Sequence, residues 1–267
     1  MKKHNRFSFI SILTLVTYIV MVVTNILANI LPINNLNTGQ VSDSFGNLFA
    51  PIGITFAVWG VIYLLLFIYA FYQLFNYQSQ NEQHHGLLTK VGVWFSISSI
   101  ANTIWIFAWH YQVMWLSLIL MTVILICLIA INLVLRRIDF DLKHNFLIRV
   151  PFTVYFGWIT IAMIANVTVF LVAINWNMFG ISPELWTITI LIIGAIIAFM
   201  AILFYHSFVY GFVVIWAYIG IALKHLSPIY FNSQYQGIIM TVYIIIAILV
   251  FAEFLLLDKQ IKKAKLN

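Results

Sequence analysis

Three groups of aromatic and amide side chains recur at helical spacing in this chain. They are the residues whose types and spacing suit chemistry. Thr55, Trp59 and Tyr63 fall four apart, so on a helix they line one face. Asn102, Trp105 and Trp109 follow at i, i+3 and i+7. Tyr155, Trp158, Ala162 and Asn166 follow at i, i+3, i+7 and i+11, again one face. Flat rings with a few polar tips suit a planar, mostly apolar ligand that gains from stacking and a small number of hydrogen bonds. The same spacing also serves packing alone. Buried Asn hydrogen-bonds across membrane helices for about 0.6–2 kcal/mol, and such helices pack closely without any ligand.

Other chemistry is poorly supplied. No nucleophile–base pair, phosphate loop or metal cluster stands out in the sequence, so the chain does not read as an enzyme. Cys127 is alone inside an apolar run and reads as a small buried hydrophobe. His84 and His85 are adjacent in a polar stretch without clustered carboxylates or cysteines, a poor metal site. A proton or ion pump needs intramembrane ionisable relays. Here Glu253 is the exception, and its place near the end of the last span lets its head reach the interface.

The elements that must position these faces follow from composition. Of 267 residues 64% are hydrophobic and 7% charged, whereas a soluble domain is about 25% charged. The chain is therefore an all-α integral membrane protein, its first partner the lipid bilayer. The net charge of +6 lies in short clusters between apolar runs and does not suggest nucleic acid. Apolar runs of spanning length, about 20 residues, predict eight helices over 7–31, 51–75, 90–109, 113–135, 150–174, 184–204, 208–223 and 236–257. The break within 184–223 is placed at Tyr205-His206-Ser207, because one span cannot be so long.

Pro51 suits the first turn of the second helix. Trp59 then lies roughly 12 Å along it, below the interface where membrane tryptophans usually sit. Asn25 and Asn29 share a face of the first helix and read as interhelical glue. Residues 32–50 are polar with apolar Leu36, Val41, Phe45, Leu48 and Phe49. That loop is expected either to fold back onto the helices as a lid or binding loop or to lie on the membrane surface. Eight spans place both termini on one side. Twelve of the thirteen basic residues then share that side, Lys224 being the exception, which predicts cytoplasmic termini in a cell membrane.

The three faces together resemble the TspO/MBR family, the tryptophan-rich sensory proteins related to the peripheral benzodiazepine receptor. The resemblance rests on Pro51…Val58-Trp59…Ile62-Tyr63, then Asn102-Thr103-Ile104-Trp105 with Trp109-His110 and Trp115, then Tyr155-Phe156-Gly157-Trp158 and Asn166. It covers roughly residues 8–175. It implies a five-helix bundle over residues 1–175 with a pocket under loop 32–50, and leaves the three helices of residues 176–267 as additions without counterpart in the usual five-helix member. Members bind porphyrins or haem, sterols and aromatic drugs. The family's sterol motif after the fifth helix is absent, since no basic residue follows Asn166 until Lys224. Other positions depart too: Ala50 precedes Pro51, and Gly53 and Ile106 replace an expected Trp and Pro.

The resemblance implies a tetrapyrrole as ligand, with no cofactor required and a sensory or transport role. Two other readings stand beside it. One is a carrier for a neutral or amphipathic solute, and the other is an assembly subunit without its own ligand. A homodimer is among the assemblies open to the chain.

Overall fold

The structure is a computed structural model and describes residues 8–31, 33–76 and 82–266. The basic segment 1–6, used above for orientation, lies outside the described residues, as does 77–81. Among the described residues there are helices and no strands, and eight helical segments are long and apolar enough to cross a membrane.

The spanning helices are α1 (Phe9–Ile30), α2 (Val58–Asn76), α3 (Glu82–His110), α4 (Met114–Arg136), α5 (Val150–Ala173), α6 (Pro183–Tyr205), α7 (Phe208–Leu226) and α8 (Gln236–Leu266). Their starts follow capping chemistry. Ser8, Ser182 and Ser207 each accept a first-turn backbone N–H, and Pro183 opens α6. The break expected at Tyr205-His206-Ser207 is present. His206 takes a left-handed conformation, φ 50°, which ends α6 before Ser207 caps α7.

Several boundaries differ from those expected from hydropathy. Residues His84 and His85 belong to α3 rather than to a loop. His84 Nε2 lies 3.1 Å from Tyr72 Oη and Gln73 Nε2 donates to Leu88 O at 3.0 Å, so α2 holds the first turns of α3 in place. The charged stretch before α5 is also partly helical, a turn at Leu142–His144 followed by Asn145–Arg149. Asp141 caps it, and Arg149 donates to Leu135 O and Ile138 O at the end of α4. Leu135 O also accepts Ile138 N at 3.2 Å, so Arg149 adds to the turn that closes α4. The last helix runs on to Leu266, beyond the expected end at Leu257. Glu253 does not reach an interface. It is 4% exposed, because its carboxyl fills the space beside Gly211 of α7.

The chain folds as two compact units, Met1–Val41 with Trp59–Ile159, and Ser42–Val58 with Thr160–Asn267. No boundary between them falls at residue 175. The loop after α1 and helix α5 each contribute residues to both units.

In the first unit, Gly92 of α3 lets α1 and α2 approach closely. A Cβ there would collide with Gln73 Nε2 and lie 2.9 Å from both Ile10 Cγ2 and Thr14 Oγ1. Tyr18 Oη ties α1 to α2 by donating to Tyr63 O at 2.8 Å. In the second unit, Tyr218 Oη donates to Leu191 O at 2.8 Å and Tyr210 Oη to Thr160 Oγ1 at 3.1 Å.

Candidate functional site

Seven of the nine residues that spacing singles out fall in the first unit. Trp59 is the hub. Its ring stacks on Tyr63, centroids 5.5 Å apart, and meets Tyr155 at 5.8 Å and Trp158 at 6.2 Å edge-on. These are separations at which aromatic pairs attract. Helices α2 and α5 therefore bring their expected faces together. Tyr155 and Trp158 are buried, while Trp59 and Tyr63 are half-buried.

Helix α3 adds the amide. Asn25 Nδ2 donates to Asn102 Oδ1 at 2.8 Å, and Asn102 Nδ2 donates to Tyr155 Oη at 3.2 Å. The chain α1–α3–α5 is thus stitched by one polar relay, and Asn25 is the glue the sequence suggested. Asn102 spends its amide on protein partners and positions the Tyr155 ring.

Trp105 stacks on Trp109, centroids 5.6 Å and planes 23° apart. Their ring N–H groups have different fates. Trp109 Nε1 donates to Thr38 O at 3.1 Å. Beside it, His110 contacts Thr38 Oγ1 at 3.2 Å and Ile33 O at 3.1 Å, and Asn34 donates to His110 O at 3.0 Å. Trp109 and His110 therefore hold residues 33–38 of the loop after α1. Trp105 Nε1 is buried and has no acceptor among the described residues.

The remaining two candidates belong to the second unit. The expected face Thr55/Trp59/Tyr63 assumed a regular helix from Pro51. Gly53–Ala57 is instead a tighter 3-10 turn, and α2 begins at Val58. Ile52 N donates to Gly220 O, and Trp216 Nε1 donates to Thr55 O, both at 3.0 Å. These bonds pull the turn out of α-helical register. Thr55 is buried, and its side chain occupies the space beside Gly220. Asn166 is buried in α5.

Sequence reasoning missed a second aromatic group in the first unit. Tyr69, Phe95 and Phe152 meet at 4.6–5.9 Å, all fully buried. No signal marked them, since Phe and Tyr are frequent throughout. It also missed the ties on the second half of the loop. Lys224 Nζ pairs with Asp43, His225 Nε2 lies 2.9 Å from Leu48 O, and Asn47 Nδ2 donates to Thr168 Oγ1. Lys224 could have pointed to them as the one basic residue outside the common pattern. Its aliphatic stem and charge are only 3% exposed, which a buried ammonium tolerates when paired.

Eight apolar helices, with rings and amides converging among them, define a multi-pass membrane protein of all-helical type. The chain belongs to the TSPO-like protein family, whose model matches residues 11–255. That match takes in all eight spans, the last three included. Comparison with curated proteins and with solved structures finds no match.

Proposed function

We propose that this protein binds a planar, mostly apolar small molecule, a tetrapyrrole by preference, against the aromatic wall of the first unit, in a sensory or transport role. The half-buried Trp59 and Tyr63 supply ring surface, backed by the buried Tyr155 and Trp158. Asn102 fixes Tyr155, and Trp109 anchors the loop. The observation that carries the reading is Trp105. A buried N–H without an acceptor costs about 1–3 kcal/mol, and a ligand carbonyl or carboxylate reaching it would recover that cost. A binding role also fits the lack of acid–base sets in the sequence. The charge pattern supports a cell-membrane protein with cytoplasmic termini.

The test is quenching of tryptophan fluorescence by protoporphyrin in the purified full chain. Trp105→Phe keeps a ring and removes the N–H, so affinity is expected to fall about tenfold, which is 1.4 kcal/mol. Trp59→Ala is expected to weaken binding further. Saturable quenching with unchanged affinity in both folded variants would reduce these rings to packing.

The mutual packing of Trp59 with Tyr63, Tyr155 and Trp158 favours a second reading, an assembly subunit whose rings only hold helices together. Absence of any protoporphyrin-dependent rise in melting temperature, with one stoichiometric partner in purification, would select it.

A further inference from the structure

A cavity of about 200 Å³ lies wholly within the second unit and shares no residue with the aromatic wall of the first. Phe45 and Leu48 of the loop after α1 form one side, and Leu171 of α5 forms another. Trp176 and Trp186 form a further wall, their rings edge to face with centroids 4.6 Å apart. Both indoles are half-buried, so part of each ring remains open to an occupant.

The side-chain polar atoms of Asn47, Thr168 and Thr187 on the lining are already used. Thr168 Oγ1 donates to Ala165 O at 2.8 Å and accepts from Asn47, whose Oδ1 accepts Phe49 N at 2.8 Å. Thr187 Oγ1 donates to Pro183 O at 2.8 Å. Apart from the two indole N–H groups, an occupant therefore meets a surface that is apolar in effect. The loop side is also rigid before anything binds. Asn47, the Leu48 carbonyl and Asp43 are each tied to α5 or α7, and such preorganisation lowers the entropy lost on binding.

Size decides the class of occupant. An apolar cavity of about 150 Å³ takes benzene, so one of about 200 Å³ matches one or two fused rings. The edge-to-face indole pair adds a preference for a ring over an alkyl chain of equal volume, because ring quadrupoles favour such contacts.

We propose that this cavity is a binding site for an uncharged aromatic molecule of one or two rings, separate from the tetrapyrrole reading. The backbone beside it fits that role. Met178 and Phe179 both hold φ at 54°, a strained conformation of the kind that persists where surroundings enforce it.

The experiment uses the full chain in phosphatidylcholine nanodiscs with 5-fluoroindole as probe, read by fluorine NMR against empty nanodiscs. Saturable binding is expected, displaced by indole and not by protoporphyrin. Leu171→Trp fills the cavity and Trp186→Ala removes a wall. Each is expected to weaken the probe about tenfold, while Trp105→Phe leaves it unchanged. Unaltered probe affinity in both cavity variants, or no saturable binding at all, overturns the site. Displacement by octanol as effective as by indole overturns the aromatic assignment and makes the cavity an alkyl-chain crevice. Loss of protoporphyrin quenching with fluoroindole binding intact would end only the first-unit reading.

Discussion

Large rings meet ring to ring in the first unit, as Tyr69 does with Phe152 at 4.6 Å and Trp59 with Trp158 at 6.2 Å. Rings also meet in the second unit, Trp176 with Trp186 at 4.6 Å, and the first has its own notch at Gly92, but the second adds two tight notches. A Cβ on Gly220 would collide with the Thr55 side chain, and one on Gly211 would collide with the Glu253 carboxyl. Polar links differ as well. The first unit relays through neutral amides, Asn25 to Asn102 to Tyr155. The second links a buried Lys224 to an exposed Asp43. Rings fill space by volume, so their loss leaves cavities. Glycine notches fill space by fit, so any addition collides. Ring-packed sites and notch sites should therefore fail under opposite substitutions.

The largest effect is expected from Trp158→Ala, which removes a ring that is 2% exposed. A cost of about 3–5 kcal/mol follows from cavity formation, read as a fall in melting temperature. A near-neutral result would mean that the ring cluster does not carry the first unit. Gly220→Ala comes next, at about 1–3 kcal/mol of overpacking. Adding Thr55→Ala should restore part of the loss, as coupled neighbours do. Gly60→Ala in α2 meets nothing within 4 Å and should be neutral. Equal melting temperatures for Gly220→Ala and Gly60→Ala would erase the contrast between a filled notch and an open glycine.

Asn102→Leu should cost about 0.6–2 kcal/mol, the range for interhelical polar contacts in membranes. A double cycle with Tyr155→Phe separates their shared bond from the rest. The smallest effect concerns an exposed pair. Asp141 accepts from His144 N at 2.7 Å and lies 2.6 Å from His144 Nδ1. The backbone N–H first, then the His144 side chain, hold its carboxyl below the usual range. A depressed folded-state value gives stability that is present at neutral pH and lost as pH falls through it. Asp141→Asn should therefore flatten the acid limb of the melting-temperature profile and leave neutral pH almost unchanged. An acid limb that stays as steep would show that Asp141 contributes nothing there.

Much of the first unit was legible because its signals are periodic. Trp59, Tyr155 and Trp158 recur at helical spacing on separate spans, and spacing alone places them on faces. Thr55 was misplaced because spacing presumes an α-helix. The bonds from Ile52 to Gly220 O and from Trp216 to Thr55 O, 161 residues apart in the latter case, convert that turn to 3-10. Glu253 was misplaced for a related reason. Length and charge suggested a head reaching the interface, but the gap at Gly211 offered it a buried seat.

By itself the sequence determined a helical membrane protein of eight spans, the break at His206 and which rings share a helix face. Those are properties of hydropathy and of a period of 3.6 residues, both local along the chain. The tertiary structure alone decided which side chains meet: Asn102 with Tyr155, Lys224 with Asp43, and the cavity between Leu48 and Trp186. Such meetings depend on helix rotation and on missing side-chain volume at glycines, which no local pattern encodes.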